Sequence, residues 1–353
     1  MKIAVILVHY HTPELVAAAA AAVRADLGGI AAEWVVVDNG STPDERAVLE
    51  QVPARRIDPG RNLGYAGGVN LGMAESSAEL VVLMNPDVIV RPGCVRELIG
   101  CLERGGAVAG PRFWWDHGRR MMLPPAERRS RTEEVLALLA GRSERWATVA
   151  RRRWRRHARR HWQAAGPLRS PWLSGSLLAL RRSAWERVGP FDEGFRLFFE
   201  ETDWLLRAWR LGLPVWYVPA AEAVHLYSQS ASREPRAQQW FEESAQRFRG
   251  LHYGAWFAKL LTALDRWLPR RQAIGSEGAA EIELAAASPV WVEVSPNATG
   301  YPAAAEVVPE GGRWALPAEI AARLPPAPLR VVVSDGEGRE VGGGWVMPGE
   351  GRR

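Results

Sequence analysis

Cysteine is almost absent from this chain, with Cys94 and Cys101 the only two in 353 residues. That excludes a disulfide framework. The pair lies on an expected helix, seven residues and roughly 10.5 Å apart along its axis, beyond the reach of a bridge. They share a face with Leu98, as buried thiols in a reducing compartment would. Lysine is just as scarce: of 45 basic residues only Lys2 and Lys259 are lysine, so the cationic chemistry belongs to arginine. Long apolar runs are missing as well. The stretch at Val16–Val23 is too short and too alanine-rich to cross a bilayer. Ile3–Val8 offers too few apolar residues before His9 for a secretory core. The expectation is a cytoplasmic chain with no signal peptide and no membrane span.

What is present is ordinary for a globular protein, at 47% hydrophobic and 24% charged, which excludes wholesale disorder. The formal charge of +5 is modest, but its distribution is not even. Seven of the ten residues from Arg151 to Arg160 are arginine, interleaved with Trp154 and His157. That run creates a strong local field.

The first hundred residues alternate short β-type apolar runs with helical patterns, which predicts an α/β fold on a doubly wound parallel sheet. Strands are expected at Ile3–Val8, Trp34–Val37, Arg56-Ile57 and Leu80–Met84, with helices at Pro13–Ala25, Pro43–Gln51 and Gly67–Glu75. From Phe113 to Gly166 the pattern weakens into a proline- and arginine-rich insertion carrying a helix at roughly Thr132–Trp162. Order returns with strands at Leu177–Leu180 and Val215–Val218 and a helix at Phe199–Leu211. Arg236–Leu268 is a long amphipathic pattern. Beyond it, a composition rich in Pro, Gly, Ala and Val predicts a small β-rich domain joined near Ile274–Gly278. The expected division is therefore residues 1–235 as an α/β domain (1–110, then a variable and basic 111–170, then 171–235), 236–273 as a helical extension, and 279–350 as a β-rich accessory domain.

Ligands of such sheets bind at the carboxyl ends of strands. Asp38-Asn39-Gly40-Ser41 and Asn85-Pro86-Asp87 both fall there. Asp38 suits hydrogen bonds to a ligand, or equally the cap of a turn. Asp87 suits a hard divalent cation on diphosphate oxygens, or a helix cap. The glycine-rich run Asn62-Leu63-Gly64-Tyr65-Ala66-Gly67-Gly68 opens a helix and can bring backbone N–H groups against phosphate. It matches neither the dinucleotide fingerprint nor the P-loop, which weakens both of those readings. Glu200-Glu201-Thr202-Asp203 sets three acids beside Phe198, Phe199 and Trp204, a composition suited to a cleft wall and also to an ordinary helix start. His225 follows the expected strand at Val215–Val218 after a short loop.

Taken in order, these pieces resemble the family 2 glycosyltransferases, which have a GT-A fold, and especially the bacterial rhamnosyltransferase-like branch. The matching segments are His9-Tyr10-His11-Thr12, Val37–Thr42, Asn62–Gly68, Leu83–Asp87, Ser174-Gly175-Ser176, Gly189-Pro190-Phe191-Asp192-Glu193, Glu200–Asp203 and His225, across roughly residues 1–255. The resemblance implies an inverting glycosyltransferase that moves a sugar, rhamnose among the candidates, from a nucleotide-diphosphate donor to a glycan or lipid-linked glycan acceptor, with residues 1–235 as the catalytic domain, 1–110 its nucleotide-binding half and 171–235 its acceptor half. It implies Mg²⁺ or Mn²⁺ held by Asp87 and His225, Asp38 on the nucleotide base or ribose, and the Asn62–Gly68 turn, with Asn62, Gly64 and Gly67, shaping the nucleotide pocket. His9, Asn85, Trp172 and Ser174 complete the substrate-binding set. Glu201 takes the place of the catalytic base, Glu200 faces the acceptor, and Asp203 braces the helix start or substitutes as the base. Two departures stand out: Asn85 replaces the first aspartate of the usual metal motif, and the acidic dyad reads Glu-Glu where the family often has Glu-Asp.

A nucleotidyltransferase is the enzymatic alternative, and an inactive sugar-nucleotide or glycan-binding protein the non-enzymatic one. On a helical wheel, Trp146, Val149, Ala150, Trp154, His157 and His161 fall on one side of the basic segment, with most arginines elsewhere. Such arginine and tryptophan interleaving fits an anionic membrane surface or a diphosphate-linked lipid, and equally a solvated helix packed on the body. No nucleic-acid fold accompanies it. Peripheral attachment to the inner face of the membrane is the corresponding expectation.

Overall fold

The computed structural model describes residues 2–226, 236–269, 278–284 and 289–348. The expected linker near Ile274–Gly278 lies outside them, apart from Gly278. In chain order the elements begin β1 (Ile3–His9), α1 (Pro13–Leu27), β2 (Ala32–Asp38), α2 (Pro43–Leu49), β3 (Arg55–Ile57), α3 (Gly64–Ala74), β4 (Leu80–Met84), β5 (Val88–Val90), α4 (Cys94–Glu103) and β6 (Val108–Trp114). They continue with α5 (Arg131–Ala140), α6 (Glu144–Trp162), β7 (Leu168–Arg169), β8 (Leu177–Arg181), α7 (Arg182–Val188), α8 (Glu200–Arg210), β9 (Val215–His225), α9 (Ala237–Tyr253) and α10 (Ala255–Trp267). The last are β10 (Ile282–Leu284), β11 (Val290–Ser295), β12 (Ala304–Val308), β13 (Gly312–Trp314), α11 (Ala318–Ala321), β14 (Leu329–Ser334) and β15 (Glu340–Val346).

Two compact units share these elements: Met1–Arg112 with Ala164–Ala255, and Phe113–Gln163 with Trp256–Arg353. The division differs from the expected one, because the basic insertion belongs with the C-terminal strands rather than with the catalytic half.

The first unit is built on a sheet of order β3-β2-β1-β4-β8-β6-β9-β5. β3, β2, β1 and β4 run parallel, as expected, but β8 pairs antiparallel with β4, and β5 and β7 antiparallel with β9. Every residue of β1 and β4 is buried, so both read as continuous apolar runs. α2 carries a capping box, with Thr42 accepting from the Glu45 N–H and Glu45 reaching back to the Thr42 N–H. α3 lies unusually close to the sheet. A Cβ on Gly68 would sit 2.7 Å from Val8 Cγ1, and one on Gly72 2.5 Å from Ile6 Cγ2. Cys94 and Cys101 are free, buried thiols on α4. The expected strand at Val215–Val218 is longer, and its continuation as β9 carries His225 on the strand itself rather than after a loop. The amphipathic pattern at 236–268 is two helices, broken at Gly254, whose φ of +95° glycine tolerates best.

The second unit joins α5 and α6 to a four-stranded sheet of order β12-β11-β14-β15. The expected single helix at Thr132–Trp162 breaks at Gly141–Ser143, between α5 and α6. Arg151, Arg155 and Arg159 recur every fourth residue on the buried face of α6. Arg155 Nε donates to Glu293 Oε1 at 2.5 Å, and Arg151 makes a two-pronged contact with Glu340 at 2.9 Å. Arg159 reaches Ser334 Oγ and the carbonyls of Asp335 and Gly336. Trp162 stacks on Trp291 at 5.6 Å between ring centroids. Trp146 and Val149 point to solvent, so the apolar side drawn on the wheel is corrected: three arginines share the buried face with Trp154 and His157. Among the described residues, no helix is long and apolar enough to cross a membrane.

Candidate active site

In the first unit the carboxyl ends of β1 and β2 bring His9 level with Asp38. Asp38 is buried, its Oδ1 accepting from the Ser41 N–H at 2.9 Å and its Oδ2 from Arg56 Nη1 at 2.8 Å. Burial raises its pKa, but the Ser41 and Arg56 hydrogen bonds outweigh that and hold it below the usual carboxylate value. Of the two expectations for Asp38, the turn cap is what the structure shows: a buried group whose two oxygens already fix a turn and an arginine. His9 is buried too, and burial lowers its pKa despite the nearby charges of Asp38 and Glu45. Its Nδ1 accepts from the Thr12 N–H, while its Nε2 has no hydrogen-bond partner.

Asn39 ties this corner to the glycine-rich turn. Its Nδ2 donates to Asn62 Oδ1 at 2.9 Å and to the Gly64 carbonyl at 3.1 Å, and its Oδ1 accepts from the Leu63 N–H at 2.7 Å. Asn62 Oδ1 also accepts from the Gly64 N–H. Gly64 has a φ of +73°, and a Cβ there would come within 2.7 Å of the Arg196 carbonyl. A Cβ on Gly67 would meet Leu63 Cβ at 2.9 Å. The glycines of this motif thus serve tight chain and sheet contacts.

The second cluster forms where β4 ends, β8 begins and β9 ends. Antiparallel pairing sets Met84 opposite Leu177 and Val88 opposite His225, which brings Asn85–Asp87, Ser174–Ser176 and His225 to one edge. Asp87 Oδ1 and His225 Nε2 are 3.5 Å apart, and Ser176 Oγ is also 3.5 Å from that nitrogen. Ser174 Oγ donates to Ser176 Oγ at 3.1 Å, and Trp172, half-buried, lies two residues upstream. Asn85 Oδ1 is buried with no hydrogen-bond partner.

α8 supplies the acids. Phe198 and Phe199 both adopt left-handed backbone, with φ of +67° and +69°, a costly conformation for aromatic residues. Phe199 packs on Phe241 and Phe248 of α9, which helps hold that turn. Immediately beyond it, Glu200 is buried with Oε2 unpartnered, and Glu201 is half-buried. A Cβ on Gly175 would come within 2.6 Å of Glu201 Cγ, so the glycine is what lets that side chain lie there. Burial, and then the charge of Glu201, push the Glu200 pKa well up. Glu200 is the buried member of the dyad and Glu201 the half-buried one. Asp203 is fully engaged: Arg207 Nε donates to Oδ2 at 2.9 Å and His252 Nε2 bonds Oδ1 at 2.8 Å. Burial raises its pKa, yet His252 and Arg207 hold it low. It braces α8 against α9 and is not placed as a base.

Tyr65 joins the two clusters, although sequence reasoning quoted it only as part of a motif. Its hydroxyl donates to the Gly175 carbonyl at 3.1 Å. Burial, then the charges of Glu200, Glu201 and Asp87, raise its pKa well above the ordinary phenol value. A polar aromatic inside a glycine-rich turn was the available signal. Asn39, Arg56, Ser176 and His252 were also missed, because each acts through a contact distant in sequence.

Residues 4–166 match the profile of the family described as Glycosyl transferase family 2. The chain is 32% identical over 224 residues to an N-acetylglucosaminyl-diphospho-decaprenol L-rhamnosyltransferase of Mycobacterium tuberculosis, covering 57% of this chain and 68% of that protein. It is 26% identical to a low-salt glycan biosynthesis hexosyltransferase of Haloferax volcanii, covering 61% and 63% respectively. A solved mannosyltransferase of Pyrobaculum calidifontis, in complex with GDP-Man and Mn²⁺, superposes with a TM-score of 0.46 at 14% identity, covering 78% of this chain and 76% of that one. The profile match and the sustained identity to the mycobacterial protein agree with the motif order read from the sequence: the chain belongs to glycosyl transferase family 2, in its rhamnosyltransferase-like branch, and is a glycosyltransferase.

Proposed function

We propose that this glycosyltransferase is inverting and metal-dependent, and moves a sugar from a nucleotide-diphosphate donor to a lipid-linked glycan. Rhamnose is the sugar and a diphospho-lipid saccharide the acceptor favoured by likeness to the mycobacterial relative. The observation that carries the reading is the pairing of Asp87 with His225 at 3.5 Å, beside a Ser174–Ser176 turn whose Gly175 packs against Glu201 and accepts from the Tyr65 hydroxyl.

Asp87 and His225 suit a divalent cation: a carboxylate oxygen and an imidazole nitrogen 3.5 Å apart, a spacing two ligands of one ion can share, with the unpartnered Asn85 Oδ1 buried nearby in sequence. No group of three or more His, Cys, Asp or Glu side chains placed to share a metal occurs among the described residues. That suits Mg²⁺ or Mn²⁺ completed by substrate phosphates and water, with the imidazole favouring Mn²⁺. When bound, the cation supplies charge neutralisation for the departing diphosphate.

Around that centre, Glu201 takes the proton from the attacking acceptor hydroxyl as the new bond forms at the anomeric carbon and the nucleotide diphosphate leaves from the opposite face. Burial, which pushes the Glu200 pKa up, disfavours a second negative charge in the dyad and so favours Glu201 as the base. Asp38 acts through Arg56 and the Ser41 turn, which order the nucleotide end. His9, Asn62, Gly64 and Gly67 shape that pocket, and Trp172 and Ser174 border the acceptor side. A peripheral position at an anionic membrane would give such an enzyme access to its acceptor. Calorimetric titration of nucleotide sugar with and without Mn²⁺ tests the metal assignment. Donor binding should need metal and weaken in Asp87→Ala, and equal affinity in chelator would refute it.

A further inference from the structure

α10 belongs to the second unit from Trp256 onward and has two unlike faces. Trp256, Leu260, Leu264 and Trp267 recur at helical spacing and all point to solvent, the two tryptophans 75% and 85% exposed. Lys259 and Arg266, also exposed, flank that stripe, and neither has an acidic partner among the described residues. The opposite face is tied down. Leu261 is buried, Asp265 accepts from Arg142 Nη2 at 2.5 Å, and the Arg131 guanidinium lies 5.7 Å over the Phe257 ring. The apolar stripe is therefore the outer side of an anchored helix.

The same unit carries a second outward feature. With Arg151, Arg155 and Arg159 consumed inside, the opposite face of α6 shows Arg145, Arg152, Arg156 and Arg160 at spacings that align them. None of the four has an acidic partner among the described residues, and Trp146 and Val149 lie exposed among them.

We infer that α10 lies in the plane of an anionic phospholipid bilayer, with the Trp256–Leu260–Leu264–Trp267 face at the headgroup–acyl boundary and the α6 arginines adding electrostatic attraction. A helix of only 13 residues, with tryptophan at both ends of its apolar stripe and cations beside it, is built for that interface rather than for crossing it. Charge decides against the other occupants. A second copy seated on the same stripe would bring Lys259 and Arg266 against their own kind, and a nucleic acid would meet the apolar face. In giving this surface a purpose, the inference rests on the lipid-linked acceptor proposed above, but the binding itself is measured with neither substrate present.

The test is co-sedimentation of the full chain with vesicles of phosphatidylcholine alone and of equal parts phosphatidylcholine and phosphatidylglycerol. The chain should bind the anionic vesicles, more weakly as salt rises. Trp256→Ser with Trp267→Ser should lower partitioning at least about tenfold, and Arg152→Gln with Arg156→Gln and Arg160→Gln should remove most of the salt dependence. Both variants should keep the parental unfolding curve and parental turnover of a water-soluble acceptor analogue. Loss of turnover in the parent, with vesicle binding intact, would count against the acceptor reading alone. No binding by the parent, equal binding to both vesicle types, or undiminished binding by the tryptophan variant would overturn the inference. So would a lipid-free dimer, seen by sedimentation velocity, that the tryptophan variant dissolves.

Discussion

Replacing Arg155 by methionine separates the two populations of arginine on α6. Glu293 is buried, and its Oε1 accepts from Arg155 Nε at 2.5 Å and from Ser334 Oγ at 2.9 Å, while its Oε2 has no hydrogen-bond partner. Arg155→Met therefore strands a buried carboxylate on a single hydroxyl. Removing one partner of a buried ion pair typically costs about 3–5 kcal/mol, far more than the pair is worth against an apolar replacement of both. For a unit of roughly 150 residues, each kcal/mol moves Tm by about 2–4 °C, so a fall of about 6–20 °C is expected by calorimetry. Arg156→Met, one residue along on the exposed face, should stay within about 0.5 kcal/mol. Arg155→Met with Glu293→Leu should recover much of the loss, giving a large coupling in a double-mutant cycle. Equal, small shifts for Arg155→Met and Arg156→Met would refute the partition of the arginine run and the pairing of the insertion with the C-terminal strands.

Gly72→Ala should destabilise the first unit in denaturant titration. The new Cβ falls 2.5 Å from Ile6 Cγ2, and overpacking of about 1–3 kcal/mol exceeds the gain of about 1 kcal/mol in helix propensity. His157 is held neutral, its pKa lowered to about 4 by burial and then by His161. A folded pKa below the unfolded one gives stability that is present above about pH 6.5 and lost as pH falls toward 4, amounting to about 3 kcal/mol in all. His157→Gln, which can keep a donor toward the Ala126 carbonyl, should flatten that slope in Tm measured across the range. An unchanged slope would show that the acid sensitivity arises elsewhere.

Local pattern carried the sequence reading a long way. The βα order of the first hundred residues, the helix bearing Cys94 and Cys101, and the family resemblance are all borne out. Periodicity says where strands and helices are, but not which strand lies beside which. Hence the antiparallel half of the sheet, where β8 inserts between β4 and β6, was not legible. Partners were harder still. A run of seven arginines reads as a solvated or membrane-facing patch until Glu293, Glu340 and Ser334, well over a hundred residues away, claim three of them. Asp38 likewise reads as a ligand contact or a turn cap until Ser41 and Arg56 are seen to occupy it. The acids of α8 look alike in sequence, and burial alone separates them. Glu200 is enclosed, Asp203 is taken by His252 and Arg207, and Glu201 is left half-buried against Gly175.

That separation makes Glu201→Gln the most direct test. The substitution keeps the shape against Gly175 and removes the group that would accept the hydroxyl proton. Single-turnover transfer should fall by at least about two orders of magnitude while donor affinity is retained. Near-parental transfer by Glu201→Gln, with the activity lost instead in Glu200→Gln or Asp203→Asn, would contradict the account.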